Sequence, residues 1–260
     1  MLSKKIENQL IFKYKFTFCT LVTKYAEYEE MINSAKNAGF DGIDVEYLYF
    51  DNKNSNVYDG YSGINRAIRE AQGEYLIFCH QDIIFHDDQR YQLEQCLTEL
   101  EVLDSTWAIA GNAGRDEHGY SAVRISDPNG ANVREGQFPY SVSSLDENFL
   151  VINRKNNIGC SVGLSGFHLY GTDLCLNAID LGYKAYAIDF HLLHKSVGTL
   201  DKSFFDSREQ FIEFYRLRRQ TKVIYTMCTI FLISKYKILL RLFDKTEKFR
   251  KKIIKFKKYL

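Results

Sequence analysis

The stretch Phe78–Asp88, FCHQDIIFHDD, sets an imidazole and a carboxylate, His80 and Asp82, two residues apart where an apolar run breaks off. On an extended chain that spacing points both side chains to one side. A strand that needed only to turn would more often use Gly, Asn or Pro. A ring nitrogen beside a carboxylate oxygen is instead a donor pair for a divalent cation. The second acidic pair, Asp87 and Asp88, reads as the N-cap of the helix that follows. Six cysteines are scattered without a CxxC pair, so a zinc site built on them is not expected. Several lie in apolar segments and read as small core residues of a protein kept in a reducing cytosol.

The elements that must carry His80 and Asp82 follow from periodicity. Phe16–Thr23, FTFCTLVT, is β-branched and aromatic and predicts a first strand. Tyr28, Met31, Ile32 and Ala35 recur at helical spacing, with Gly39 placed to cap the end. DVEYLYFDNKNS predicts a second strand ending in a turn, and Ile64, Ala67, Ile68 and Ala71 mark a second helix. YLIFCHQDIIF then reads as one continuous apolar strand, of the kind buried on both faces of a parallel sheet. RYQLEQCLTELEVL predicts a helix and WAIAGNAG a strand. Such alternation predicts an α/β sandwich, in which ligands bind beyond the carboxyl ends of the strands. His80, Asp82, Asp51 and Asn112 all fall at such ends. Residues 115–165, rich in Gly, Ser and Asn, define no clear element beyond short β-like pieces such as FLVINR. Beyond them HLYGTDLCLNAIDLGY predicts a helix and KAYAIDFHLLHKSVGT a strand entering a polar loop.

At 260 residues and 45% hydrophobic the chain can bury one sizeable core. The formal charge of +1 hides an asymmetry: residues 245–260 hold eight Lys/Arg and one Glu, about +7, which leaves about −6 on the rest. A mildly acidic body argues against nucleic acid as a partner. Leu239, Leu242, Phe249, Ile253, Phe256 and Leu260 continue an apolar stripe begun at Ile238. Lys235, Lys237 and Arg241 interrupt any run long enough to span a bilayer. The expectation is a body over 1–220 and a basic amphipathic helical tail over 221–260, lying on an anionic membrane surface. The first residues have neither a long apolar core nor a small-residue cleavage site, so no secretory signal is expected.

FTFCTLVT, YLYFDNKNS, GINRAIREAQGEYLIFCHQD and GFHLYGTDLCLNAIDLGYKAYAIDFHLLHKSVG together resemble GT-A-fold glycosyltransferases of the family 2 type. The narrower likeness is to a bacterial subgroup with His-Gln-Asp in place of Asp-x-Asp. It covers roughly residues 16–200. The resemblance implies a GT-A, Rossmann-like, mainly parallel mixed sheet flanked by helices. It also implies transfer of a sugar, with inversion, from a nucleotide-sugar donor to a hydroxyl of a growing, lipid-linked bacterial surface glycan. The setting would be the cytoplasmic face of a bacterial plasma membrane, with a UDP-sugar as donor. Asp82 matches the last acid of the family triplet, with His80 replacing the first and His194 at a late ligand position. Together they would hold Mn²⁺ (or Mg²⁺), which stabilises a departing diphosphate. Asp51 would bond the base, with Thr20, Thr23 and Asn112 lining that pocket. Asp146 and Glu147 would hold sugar hydroxyls, and Asp173 of YGTDLCL would be the base that takes the acceptor proton.

Each residue also has a plainer role: DNKN makes a turn without a ligand, and an Asp near a helix start is favoured by the helix dipole. Two other functions stay open from sequence. A nucleotidyltransferase shares the fold, although TLVTKYAEYEE lacks its usual glycine-rich phosphate loop. A non-catalytic nucleotide-sugar-binding protein is the other.

Overall fold

The computed structural model describes residue 6, residues 10–196, residue 198 and residues 200–246. The chain opens as β1 (Tyr14–Val22), α1 (Tyr25–Asn37), β2 (Val45–Asp51), α2 (Gly60–Glu70), β3 (Gly73–Cys79), β4 (Ile83–Ile84), α3 (Arg90–Leu103) and β5 (Trp107–Gly111). Short strands follow: β6 (Ala113–Arg115), β7 (Ser121–Asp127), β8 (Gly130–Glu135), β9 (Tyr140–Val142), β10 (Ser144–Leu145) and β11 (Phe149–Asn153). Then come α4 (Tyr170–Asp180), β12 (Lys184–Ala187), β13 (Leu192–His194), α5 (Lys202–Tyr215) and the pair β14 (Lys222–Tyr225) and β15 (Ile230–Ile233).

The main sheet has the order β2-β1-β3-β11-β5-β12-β9. Strands β1, β2, β3, β5 and β12 run one way, and β11 and β9 run against them. This is the mixed, mainly parallel α/β sheet with flanking helices that the sequence predicts. Strand β3 shows why its residues read as a continuous apolar run. Leu76 and Phe78 enter one core with Ile64 and Ala67 of α2 and Leu174 of α4. Ile77 and Cys79 enter the other with Met31 and Ala35 of α1 and Leu93 and Leu97 of α3. Burying a side chain of this size contributes about 1.5–3 kcal/mol, so both faces are anchored. Gly73 begins β3 where any Cβ would stand 2.6 Å from the Thr17 backbone nitrogen.

The structure corrects several expectations. The apolar run does not continue through His80: β3 stops at Cys79, and Ile83–Ile84 belongs to a second sheet of order β10-β6-β7-β13-β4. The undefined middle supplies most of that sheet and also β11, which inserts antiparallel between β3 and β5. The strand expected after Gly182 breaks after Ala187 and resumes as β13 in the second sheet. Helix α3 is capped by Gln89. Asp88 instead accepts the His191 backbone N–H, and Asp87 lies 3.4 Å from that imidazole. The segment 221–260 is not helical throughout. Residues 222–233 form the antiparallel pair β14–β15, with Phe231 packed edge-on against Phe211 of α5. Residues 237–246 are helical, and most of the basic stripe, residues 247–260, lies outside the described residues.

Candidate active site

The end of β3 is where chemistry gathers. His80 leaves the strand with its N–H donated to the Asn148 carbonyl (2.9 Å). Two residues on, the Asp82 carbonyl accepts from the Lys195 N–H (3.0 Å). That bond continues the β4–β13 pairing, which sets His194 opposite Ile83. Residues 112 positions apart in sequence are thereby brought side by side.

His80, Asp82 and His194 can each offer one ligand atom to a common point. The His80 Nδ1 and His194 Nε2 atoms are 3.4 Å apart. The Asp82 Oδ1 atom lies 3.4 Å from His194 Nε2 and 4.0 Å from His80 Nδ1. Two ligands held about 2.1 Å from one tetrahedral ion would be about 3.4 Å apart, so the set fits a single cation. Two imidazoles with one carboxylate suit Mn²⁺, Fe²⁺ or Zn²⁺ better than Mg²⁺. The other nitrogen of His80 meets the Tyr170 hydroxyl at 3.1 Å, and that hydroxyl donates to the Glu147 carbonyl at 3.3 Å. Such an outer contact fixes the orientation of a ligating ring. Tyr170 can lie there because Gly60 has no side chain: a Cβ at residue 60 would stand 2.2 Å from the Tyr170 ring.

The charges are arranged for a cation. Burial alone would raise the Asp82 pKa, but hydrogen bonds from His194 and Ser196 and the nearby imidazoles carry it well below the carboxylate range. Burial works against protonated His194, and bonding to Asp82 outweighs it, so its pKa is raised. His80 is lowered to about 4 by burial and by the charge on His194. A neutral imidazole and an ionised carboxylate are the ligating forms.

Asp146 and Glu147 line the same cavity as His80 and His194, a space of about 780 Å³. Asp146 accepts from the Asn148 N–H (3.0 Å) and amide side chain (2.7 Å) through one oxygen. Glu147 accepts from the Gly171 N–H at the start of α4 (3.3 Å). Burial, then the neighbouring Asp146 charge, push the Glu147 carboxyl up to about 8, against backbone hydrogen bonds that lower it. A carboxyl held in its protonated form so far up the pH scale is suited to proton transfer near neutrality.

The remaining expected residues are placed differently. Asp173 is fully buried and does not line this cavity. It accepts from the Tyr215 hydroxyl (2.5 Å), the Ser161 N–H (2.7 Å) and the Asn177 amide (3.3 Å). Burial raises its pKa in spite of those donors. Thr23 and Asp51 lie at the paired ends of β1 and β2, where Val22 faces Asp51. Thr20 is buried, 3.6 Å from the Cys79 sulfur. Asn112 stands apart, because β3 and β11 separate β5 from β1. It is buried, and its side chain donates to the Arg124 carbonyl (3.2 Å).

Sequence reasoning passed over two residues that organise the site. Gln81 accepts from the Thr23 and Lys24 N–H groups (2.9 and 3.0 Å) and donates to the Thr23 hydroxyl (3.0 Å). It ties the β3 edge to the start of α1, whose own N-cap Lys24 makes no side-chain cap. Its position inside the His-Gln-Asp triplet was the available signal. Tyr170 carried none, since its role depends on Gly60 beneath it.

No family model matches the chain. Among solved structures, S. aureus TarS aligns over 78% of this chain and 38% of its own, at 14% identity and a TM-score of 0.47. A197 from STIV aligns over 72% of this chain and 97% of its own, at 10% identity and a TM-score of 0.40. Likeness at that level assigns no activity. In sequence, the chain is 37% identical over 207 residues to the ATP synthase subunits region ORF 6 protein of Fuscovulum blasticum, covering 77% of this chain and 83% of that protein. On that identity and coverage, the chain belongs to the family of the Fuscovulum blasticum ATP synthase subunits region ORF 6 protein.

Proposed function

We propose that this protein is a metal-dependent glycosyltransferase that moves a sugar from a nucleotide-sugar donor, a UDP-sugar in the first instance, to a hydroxyl of a glycan acceptor with inversion. The observation that carries this reading is the convergence of His80, Asp82 and His194 on one point, in the cavity that also holds Asp146 and Glu147. A divalent cation, Mn²⁺ by preference, would act as a Lewis acid toward the diphosphate leaving group. Asp82 and the two imidazoles would hold that ion at the sheet edge. Thr23 and Asp51, at the neighbouring strand ends, are proposed to receive the nucleotide base.

The base assignment moves from Asp173 to Glu147. Asp173 has no face on the cavity, whereas Glu147 does. Once ionised, a carboxylate with a pKa near 8 is a stronger proton acceptor than an ordinary one and remains matched to neutral conditions. Asp146, kept beside it, is proposed to hold sugar hydroxyls.

The acceptor is proposed to be lipid-linked, with the protein peripheral on the cytoplasmic face of a bacterial plasma membrane. Support comes from the charge of residues 245–260 and from exposed Ile238 and Leu242 in the helical run before them. Among the described residues no helix is long and apolar enough to cross a membrane. Flotation with anionic and neutral vesicles checks this. Salt-sensitive binding to anionic vesicles alone is expected, and equal binding to both would sink it.

The central test is thermal unfolding with a panel of nucleotide sugars, with and without Mn²⁺. A ligand at about 100 times its dissociation constant stabilises by about 2.7 kcal/mol. A metal-dependent rise for one nucleotide sugar is expected, followed by release of its nucleotide when acceptor is added. No rise with any sugar nucleotide would overturn the proposal. A rise without turnover would leave a binding protein.

A further inference from the structure

One cation in the cavity, Arg115, has no side-chain partner among the described residues. Arg115 ends β6 and is held by strands on both sides, opposite Ser144 of β10 and Ser121 of β7. Its side chain lines the cavity that holds His80, Asp146 and Glu147. The approach of β6 to β10 is close: a Cβ on the preceding Gly114 would stand 2.7 Å from the Ser144 carbonyl oxygen. The Asp146 N–H donates to the Ala113 carbonyl (2.9 Å), so the carboxylate pair rises from the strand edge next to Arg115.

Among the described residues the Arg115 guanidinium takes part in no ion pair or hydrogen bond, and its Nε is buried without a partner. Its neighbours in the same sheet behave otherwise. Arg124 and Arg134 share Asp189 at 3.1 and 2.8 Å. A guanidinium stays charged at any physiological pH, and leaving a buried donor unpaired is unfavourable. Its fork of N–H groups matches the paired oxygens of a carboxylate or phosphate. The carboxylates that line the cavity are engaged elsewhere: Glu135 accepts from the Ser121 hydroxyl (3.4 Å), and Asp127 accepts from the Asn129 and Gly130 N–H groups (2.8 and 3.1 Å). One oxygen of Asp146 is taken by Asn148, and Glu147 turns to the start of α4. The rest of the wall includes Phe204, Val123 and Met227, which suits the apolar face of a sugar ring.

We propose that Arg115 forms an anion subsite in this cavity, reading a carboxylate or phosphate carried by the acceptor sugar. This rests on the glycosyl-transfer reading. The acceptor is the partner implied because Arg115 sits on the second sheet beside Asp146 and Glu147, while the strand ends proposed for the nucleotide base belong to β1 and β2.

The test measures binding of three probes by calorimetry: methyl glucoside, methyl glucuronide and methyl glucoside 6-phosphate. Each is titrated into the full chain, R115Q and R115K. The parent is expected to bind at least one anionic probe about tenfold or more tightly than the neutral one, and which one it prefers separates carboxylate from phosphate. In R115Q the preference should vanish. In R115K, which keeps the charge but loses the fork, it should be reduced, and this variant serves if R115Q does not fold. A parent that does not discriminate, or an R115Q that still does, overturns the subsite. Nucleotide-sugar binding with Mn²⁺ is read on the same samples. Its absence in the parent strikes the transfer reading, whereas its presence without anion preference strikes Arg115 alone.

Discussion

Asp82 and Asp173 are both acidic residues at motif positions, and the fold treats them oppositely. Asp82 stands among titratable nitrogens, His80 and His194, beside an open cavity. Asp173 stands among a phenol, a backbone N–H and an amide, all supplied by the fold itself. Around Asp82 the imidazoles overcome burial and favour the charged form. Around Asp173 burial prevails and its proton is held more tightly. A carboxylate whose partners can lose a proton and accept a cation is arranged to change ligands. One whose partners are fixed neutral donors is arranged to hold two elements together, here α4 and α5.

The largest effect that can break this contrast is on turnover. If Glu147 is the base, Glu147→Gln should lower kcat by about 10²–10⁴ with nucleotide-sugar affinity little changed. Asp173→Asn should leave turnover per folded molecule close to the parent value. A strong kcat loss in Asp173→Asn at full folding, with Glu147→Gln active, would restore Asp173 as base.

Metal affinity comes next. Asp82→Asn should weaken Mn²⁺ binding by about 100-fold or more in a calorimetric titration, and His80→Ala by less, since water can fill one position. Removing an outer partner such as the Tyr170 hydroxyl usually costs 10–100-fold in comparable sites. Binding should also weaken as pH falls, because His194 retains its proton beside Asp82 and must release it to ligate. Parent-like Mn²⁺ affinity in Asp82→Asn would remove this residue from the ligand set.

Stability should separate the same two regions by a smaller amount. Tyr215→Phe deprives buried Asp173 of a donor and should lower unfolding stability by about 1–3 kcal/mol in urea, without altering Mn²⁺ affinity. An unchanged midpoint would mean that the network does not bind α5 to α4.

The smallest effect, taken per pH unit, is a slope with pH. Glu147 ionises near 4.5 when unfolded and near 8 when folded. Between those values the unfolded chain has released a proton that the folded chain keeps, so parent stability falls as pH rises. The fall is at most about 1.4 kcal/mol per pH unit and levels off above pH 8. Glu147→Gln has no such group, so its midpoint should gain on the parent from pH 5 to 8. Parallel profiles would show that the folded carboxyl titrates normally.

Much of the fold is legible in the sequence where one element decides its own pattern. The spacing of Met31 and Ala35, or of Ile64 and Ala67, marks a helix face because each must meet the sheet once per turn. Residues 115–165 resist such reading because their strands are short and find partners far away. Strand β11 pairs with β3, about seventy residues earlier, and with β5. The segment around Val223–Ile233 is apolar at both helical and strand spacing. Contact between Phe231 and Phe211 accompanies its choice of a hairpin.

The same division runs through the site. Residue type and local order alone kept His80 and Asp82 together at the exit of β3, although the chain turns there instead of running on as a strand. Local order likewise put Asp146 next to Glu147. Only the tertiary structure decided that His194 completes the set with them, since its place depends on the β4–β13 pairing. It also decided that Asp173 turns inward to Tyr215 while Glu147 faces the cavity. Burial and hydrogen bonding depend on which distant elements pack over a residue, and no spacing within one segment records that.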